Sequence, residues 1–203
     1  MPTPTPRRHF SMLRDFHLAD LFTFANGFCG VAALFAAMRF LSAGDRRYLY
    51  GAALLVPLAL VFDVLDGRIA RWRHGGSPMG RELDSLADVI SFGVAPAGIA
   101  FAAGLDRMVD QVVLMYFVGC GVSRLARYNV TAADLSRETG KVTYFEGTPI
   151  PTSVVPLGLL MLAFHYHALY PVRVLGLELH LVTLLFLLSS SLMISKTLRI
   201  PKP

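Results

Sequence analysis

Charge is scarce in this chain. Asp, Glu, Lys and Arg make up 16% of its 203 residues, against about 25% in an average soluble domain. With 54% hydrophobic residues beside them, there is too little charge to cover an ordinary water-facing surface. Cysteine is scarcer still. Cys29 and Cys120 are the whole supply, and they form no C-x-x-C pair, which excludes a disulfide framework and a thiolate metal cluster. Both fall inside apolar runs and read as small buried residues. Nucleophile-elbow, Walker A and dinucleotide-binding fingerprints are missing, as are internal repeats and low-complexity tracts. A cleavable signal pattern is also lacking, because the first apolar run starts late and is already long enough to span a bilayer.

What is present is apolar length. Six stretches approach the ~20 residues that a membrane crossing needs: Leu18–Phe40, Leu49–Ala70, Leu83–Leu105, Met108–Arg127, Pro149–Tyr170 and Val174–Ser195. The expected fold is an all-α polytopic membrane protein with six transmembrane helices. Arg7 to His17 alternates basic residues with Phe10, Met12, Leu13 and Phe16, and is expected to form a short amphipathic juxtamembrane helix. The expected organisation is a cytoplasmic segment at 1–17, one domain at 18–195 and a cytoplasmic tail at 196–203.

The positive-inside rule orients this arrangement. With a cytoplasmic N-terminus, fourteen of the 19 Lys and Arg residues fall on the cytoplasmic side. Arg39, Arg46, Arg47, Arg107 and Arg173 fall opposite. The net charge of +5 then reads as a basic collar drawn to anionic headgroups. The basic residues are dispersed and accompany no recognition motif, so no nucleic-acid partner is expected.

Smaller features have plain readings. His165 and His167 lie two apart, and in a helix such residues diverge by about 200°, so they read as part of an interfacial belt rather than a metal pair. Asn129-Val130-Thr131 is a formal glycosylation sequon, unused on a cytoplasmic face. Ser189, Ser190 and Ser191 read as a helix-packing site.

The acids are the informative residues. Asp63 and Asp66 stand three apart at the end of the second stretch; Asp84 and Asp88 stand four apart at the start of the third. Each pair shares one helix face. An ionisable group at membrane depth defaults to a functional reading. Two such faces turned toward each other make an all-oxygen cage for a hard divalent cation.

The full pattern is D-x2-D-G-x2-A-R-x8-G-x3-D-x3-D, filled by Asp63, Asp66, Gly67, Ala70, Arg71, Gly80, Asp84 and Asp88. It resembles the signature of the CDP-alcohol phosphotransferases. Leu21 to Gly30, Arg124-Leu-Ala-Arg127-Tyr128-Asn129 and the Phe145 to Pro151 segment are similar to the integral-membrane bacterial phosphatidylserine synthases within that family. Ala19-Asp20 departs from the usual Pro-Asn, and Thr148 and Thr152 stand where apolar or small residues are common.

The resemblance implies an enzyme that transfers the phosphatidyl group of CDP-diacylglycerol to the hydroxyl of L-serine, releasing CMP. Magnesium, manganese or calcium would be held by Asp63, Asp66, Asp84 and Asp88, with Asp88 also the general base. Asn26, Gly67, Ala70, Arg71, Ser77 and Gly80 would form the nucleotide and CDP-lipid site, the small residues letting the nucleotide approach the backbone. Arg124 and Arg127 read either as snorkelling collar arginines or as anion readers. In the second case they bind the acceptor, with Asn129 and Thr148 close by. A homodimer in the bacterial inner membrane, its active site facing the cytoplasm, completes the expectation. Three other readings stand beside it. One is the same transfer to glycerol 3-phosphate, inositol phosphate or choline. Another is a cation transporter using the acids as an ion path, which has no need of the Gly67, Ala70 and Gly80 spacing and for which inverted repeats are expected. The third is a catalytically silent structural membrane protein, against which the intact set of four acids argues.

Overall fold

The computed structural model describes residues 18–72, 78–138, 144–174, 176–195 and 199–201. The expected N-terminal helix and Ser77 lie outside the described residues.

Two long antiparallel helices open the chain, α1 (Leu18–Ala43) and α2 (Arg46–Trp72). The reversal between them uses Gly44 at a φ of 69°. There the Asp45 carboxylate accepts from the Arg47 N–H at 2.9 Å, satisfying a donor that a helix start leaves open. The next helix runs in three parts: α3 (Pro78–Asp88), a π-helical turn at Val89–Val94, and α4 (Ala95–Ala103). Pro96 has no N–H to give, so the α-helical ladder is already broken at this point. The Ala95 N–H bonds the Ile90 carbonyl, five residues back, which is the π pattern. Gly104, at a φ of 119°, ends α4.

Helix α5 (Met108–Glu138) follows, and α6 (Val154–His165) and α7 (Thr183–Ile194) complete the helices of the described residues. The described chain is mostly helical, and four helical segments are long and apolar enough to cross a membrane: Ala19–Ala43, Arg46–Ile69, Met79–Ala103 and Met108–Thr131. The last two apolar stretches differ from expectation. The fifth is shorter, a 3₁₀ turn at Ile150–Ser153 leading into α6. The sixth begins as strand: β2 (Pro171–Val174) pairs antiparallel with β3 (Leu177–His180) before α7 begins. The 12 residues of α7 rise about 18 Å, short of a ~30 Å hydrocarbon core.

The fold is therefore not purely helical. A second small pairing joins β1 (Tyr144–Glu146) to β4 (Arg199–Pro201), so part of the expected tail is held against the loop before α6.

Packing relies on small residues where helices meet, as membrane bundles do. Ala33, Ala37, Ala52, Ala59, Ala95 and Ala100 are buried, and Phe92, Phe117, Phe186 and Ile99 fill the gaps between them. Phe117 and Phe186 meet edge to face at 5.4 Å, locking α5 to α7. Helix α1 and the π turn approach each other closely. A Cβ on Gly30 would lie 2.6 Å from Ser91 Oγ and 2.8 Å from its Cα. The Ser91 hydroxyl donates to the Asn26 carbonyl at 2.8 Å.

At the far end, buried Asp110 accepts from the His180 backbone N–H at 3.0 Å and from the Thr183 hydroxyl at 2.5 Å, and pairs with the His180 ring at 2.6 Å. This clasp fixes the β2–β3 hairpin and the start of α7 onto α5. Arg107 and Arg173 meet Glu178 nearby, at 3.6 and 2.9 Å, and Arg46 touches His167 at 3.2 Å. Arg46, Arg107 and Arg173, three of the five basic residues expected on the non-cytoplasmic side, thus find partners in the part of the fold that follows α6.

Gly30→Ala is expected to destabilise the protein by about 1–3 kcal/mol through overpacking. Gly158, with nothing within 4 Å of an added Cβ, serves as control: Gly158→Ala should gain about 0.5–1 kcal/mol in helix propensity. Thermal unfolding of the two purified variants in detergent, compared with the parent, measures both.

Candidate active site

The acids converge. Carboxylate oxygens of Asp63, Asp66 and Asp84 all lie within 4.8 Å of one another. Asp63 and Asp66 come from the last turns of α2, and Asp84 from the middle of α3. Asp88 ends α3, buried, one turn deeper. All four wall a cavity of about 490 Å³, together with Gly67, Arg71, Arg81, Ser85, Arg124, Leu125, Tyr128, Asn129, Pro149 and Pro151. Three carboxylates this close repel each other strongly unless a cation or protons offset them.

Helix α1 holds the acids from behind. The Thr23 hydroxyl donates to Asp66 Oδ2 at 2.8 Å, and Asn26 Nδ2 donates to Asp88 Oδ1 at 3.0 Å. Thr23 and Asn26 are three apart on one helical face. The close contact between Gly30 and Ser91 sets how near that face comes. Neither Thr23 nor Ser85, Arg81 and Tyr128 was picked out from the sequence. For Thr23 a signal was there, its spacing from Asn26; Tyr128 lay in the Arg124–Asn129 segment, while Ser85 and Arg81 carried none beyond their nearness to the acids.

The residues suggested by resemblance separate into two groups. Gly67 faces the cavity with nothing within 4 Å of where a Cβ would stand, so the site keeps room for a ligand there. Arg71 also lines the cavity. Asn26 is fully buried and spends its amide on Asp88. Gly80 is not among the lining residues, and Ala70 lies on α2 one position before Arg71.

Arg124 and Arg127, three apart on α5, part company. Arg124 is buried and lines the cavity, its Nε without a hydrogen-bond partner. Arg127 is half-buried and does not line it. Asn129 lines the cavity and ties α5 to α3, its Nδ2 donating to Ser85 Oγ at 3.0 Å and to Glu82 Oε2 at 3.3 Å.

Thr148 faces another way. It lines an apolar groove of about 240 Å³ between α6 and α7, with Thr152, Leu159, Leu188 and Leu192. Its neighbours Pro149 and Pro151 face the acid cavity. The 147–152 loop is therefore a partition between cavity and groove. Gly147, at a φ of 71°, anchors it; a Cβ there would collide with the Met193 carbonyl oxygen.

The donor set fits a hard divalent cation. Among the described residues it is all carboxylate, with neither thiol nor imidazole. Asp84 Oδ1 is buried without a protein partner, and a buried acceptor left bare is costly.

This geometry and the order of its acids define a class. The chain belongs to the CDP-alcohol phosphatidyltransferase family, whose description matches residues 16–192. Among its relatives is the CDP-diacylglycerol–serine O-phosphatidyltransferase of Saccharomyces cerevisiae, 45% identical over 96% of this chain and 74% of that protein. The Bacillus subtilis protein of the same name is 30% identical over 74% of this chain and 77% of its own length. The archaetidylserine synthase of Methanothermobacter thermautotrophicus is 40% identical over 60% of this chain and 50% of its own.

Manganese binding tests the fit. Purified protein titrated with Mn²⁺ and followed by the electron paramagnetic resonance of the free ion should show saturable binding. Asp84→Asn should weaken it by roughly 10-fold or more, since a charged ligand is replaced by a neutral one. Unchanged binding in Asp84→Asn would mean the triad is not the metal site.

Proposed function

We propose that this protein transfers the phosphatidyl group of CDP-diacylglycerol to the hydroxyl of L-serine, forming phosphatidylserine and CMP. The observation that carries the reading is one cavity walled by four acids on one side and by buried Arg124, with its free Nε, on the other. The names of the relatives from yeast and Bacillus support serine as the acceptor.

Asp63, Asp66 and Asp84 hold divalent cations, with magnesium, manganese and calcium the candidates by donor type. When bound, such an ion neutralises the diphosphate and the departing CMP. Asp88, oriented by Asn26, takes the proton of the serine hydroxyl. The serine oxygen forms its bond to the lipid-bearing phosphorus as the bond to the CMP oxygen breaks. Most of the remaining work is positioning. Gly67 leaves room for the nucleotide, and Arg71 reaches its phosphates. Arg124 pairs with the serine carboxylate, a charge-assisted contact suited to a guanidinium. Asn129 completes the acceptor wall, and Arg127 and Thr148 stand outside it.

In this reading residues 18–195 form the catalytic domain, with α6 and α7 completing six membrane-embedded helices in a homodimer. The acid cavity faces the cytoplasm, where CDP-lipid headgroups and serine meet. The basic distribution supports that orientation. The fully occupied Gly67, Ala70 and Gly80 positions favour nucleotide-dependent transfer over a cation path.

Release of CMP from CDP-diacylglycerol, with serine, glycerol 3-phosphate, inositol phosphate and choline offered separately, tests the reaction. Serine should be the productive acceptor, and excess chelator should abolish release until magnesium or manganese is restored. Release with a phosphorylated polyol and not with serine overturns the acceptor.

Two substitutions test the division of labour. Asp88→Asn should lower kcat by a factor on the order of 10² or more with little change in CDP-lipid KM. Arg124→Ala should raise serine KM by roughly 10-fold or more, while Arg127→Ala leaves it near the parent value. Equal effects from the two arginines would contradict the separation seen on α5.

A further inference from the structure

Serine is a zwitterion, and an arginine satisfies only its carboxylate. We propose that Asn129 and Ser85, oriented by Glu82, form the site that receives the serine ammonium and so select amino-alcohol acceptors over amine-free ones. The inference rests on the serine reading above.

Helices α3 and α5 pass each other antiparallel at the cavity. Asp88 and Arg124 wall its deep part, while Ser85 and Asn129 stand hydrogen-bonded nearer the opening. Ser85 precedes Asp88 by three residues, about 4.5 Å of helix rise. A serine whose hydroxyl meets Asp88 and whose carboxylate meets Arg124 therefore turns its third substituent toward the Ser85–Asn129 pair.

That pair is set up to accept. Asn129 Nδ2 donates both to Ser85 Oγ at 3.0 Å and to Glu82 Oε2 at 3.3 Å. A carboxylate accepts only, so Glu82 fixes which end of the amide is nitrogen. The Asn129 carbonyl oxygen accepts from the Ser85 hydroxyl at 3.3 Å and keeps its second lone pair as an acceptor. An ammonium is a three-proton donor with no acceptor capacity, and it meets here one carbonyl, one hydroxyl and the negative charge of Glu82 behind them. Glu82 does not itself line the cavity, so its charge reaches the amine through Asn129. With Asp63, Asp66 and Asp84 assigned to the cation and Asp88 to the proton, this pair offers acceptors on the cavity wall to the amine. Asn129 and Ser85 bind substrate in this arrangement; Glu82 is a positioning residue that acts through Asn129.

The test compares L-serine with 3-hydroxypropionate, which keeps the hydroxyl and carboxylate and lacks the amine. Full-length protein in detergent is assayed for CMP release with each. The parent should prefer serine. Asn129→Leu should raise serine KM by roughly 10-fold, the scale of one hydrogen bond to a charged group, and so shrink the preference for serine over 3-hydroxypropionate. Ser85→Ala, which leaves Asn129 in place, should shrink the preference in the same direction, and so keeps the test open if Asn129→Leu does not fold. Glu82→Ala should raise serine KM, and Glu82→Asp should restore part of the loss. An unchanged serine preference in Asn129→Leu, or in Ser85→Ala where Asn129→Leu is unfolded, overturns the ammonium site while leaving the serine reading intact. A parent enzyme that releases no CMP with serine overturns both.

Discussion

Crowding four carboxylates at the edge of a membrane core is the constraint on which the rest of this molecule depends. Each charge alone is costly there, and three within one small cluster repel. The fold manages this in two ways. It opens a polar cavity on one side, into which ions and a charged nucleotide can come. On the other side it lays α1, whose Thr23 and Asn26 donate hydrogen bonds to Asp66 and Asp88. The bond to Asp66 spans α1 to α2; the bond to Asp88 needs α1 within reach of α3, and Gly30 against Ser91 provides that approach. The π turn belongs to the same solution, since it carries Ser91 into contact and follows directly on Asp88.

The two walls of the cavity divide the chemistry. α2 and α3 bring acids, while α5 brings Arg124, Tyr128 and Asn129. The wall of α5 carries the groups that would read the acceptor in the proposed reaction. Arg124 and Arg127 make the point: a three-residue step along the same helix separates a cavity residue from a residue outside it.

The acid pairs were legible in the sequence because their spacing is a property of single helices and follows from 3.6 residues per turn. The bonds from α1 were not, since Thr23 and Asn26 lie 43 and 62 residues from the acids they serve. The long helices were legible from apolar length alone. The hairpin was hidden for the same reason: an apolar run from Val174 onward reads as a span. Val172 and Val174, Leu177 and Leu179 alternate with Arg173 and Glu178, a period of two that marks strand. The π turn left only Pro96 as a trace, and a proline alone does not say how a helix will accommodate it. The loop at 147–152 was legible as stiff from its prolines, but that its threonines and prolines face opposite compartments is a matter of tertiary placement.

The Asp110 clasp bears on how the chain is built in time. Asp110 leaves the ribosome 70 residues ahead of His180 and 73 ahead of Thr183. Until they arrive its carboxylate has only local donors, such as the Arg107 N–H at 3.3 Å, and stays favoured at the water-facing margin of the bilayer. Final docking of the hairpin and α7 is what lets that carboxylate be withdrawn. Docking of α7 is thus coupled to burial of a charge, at the end of the described bundle furthest from the acid cavity.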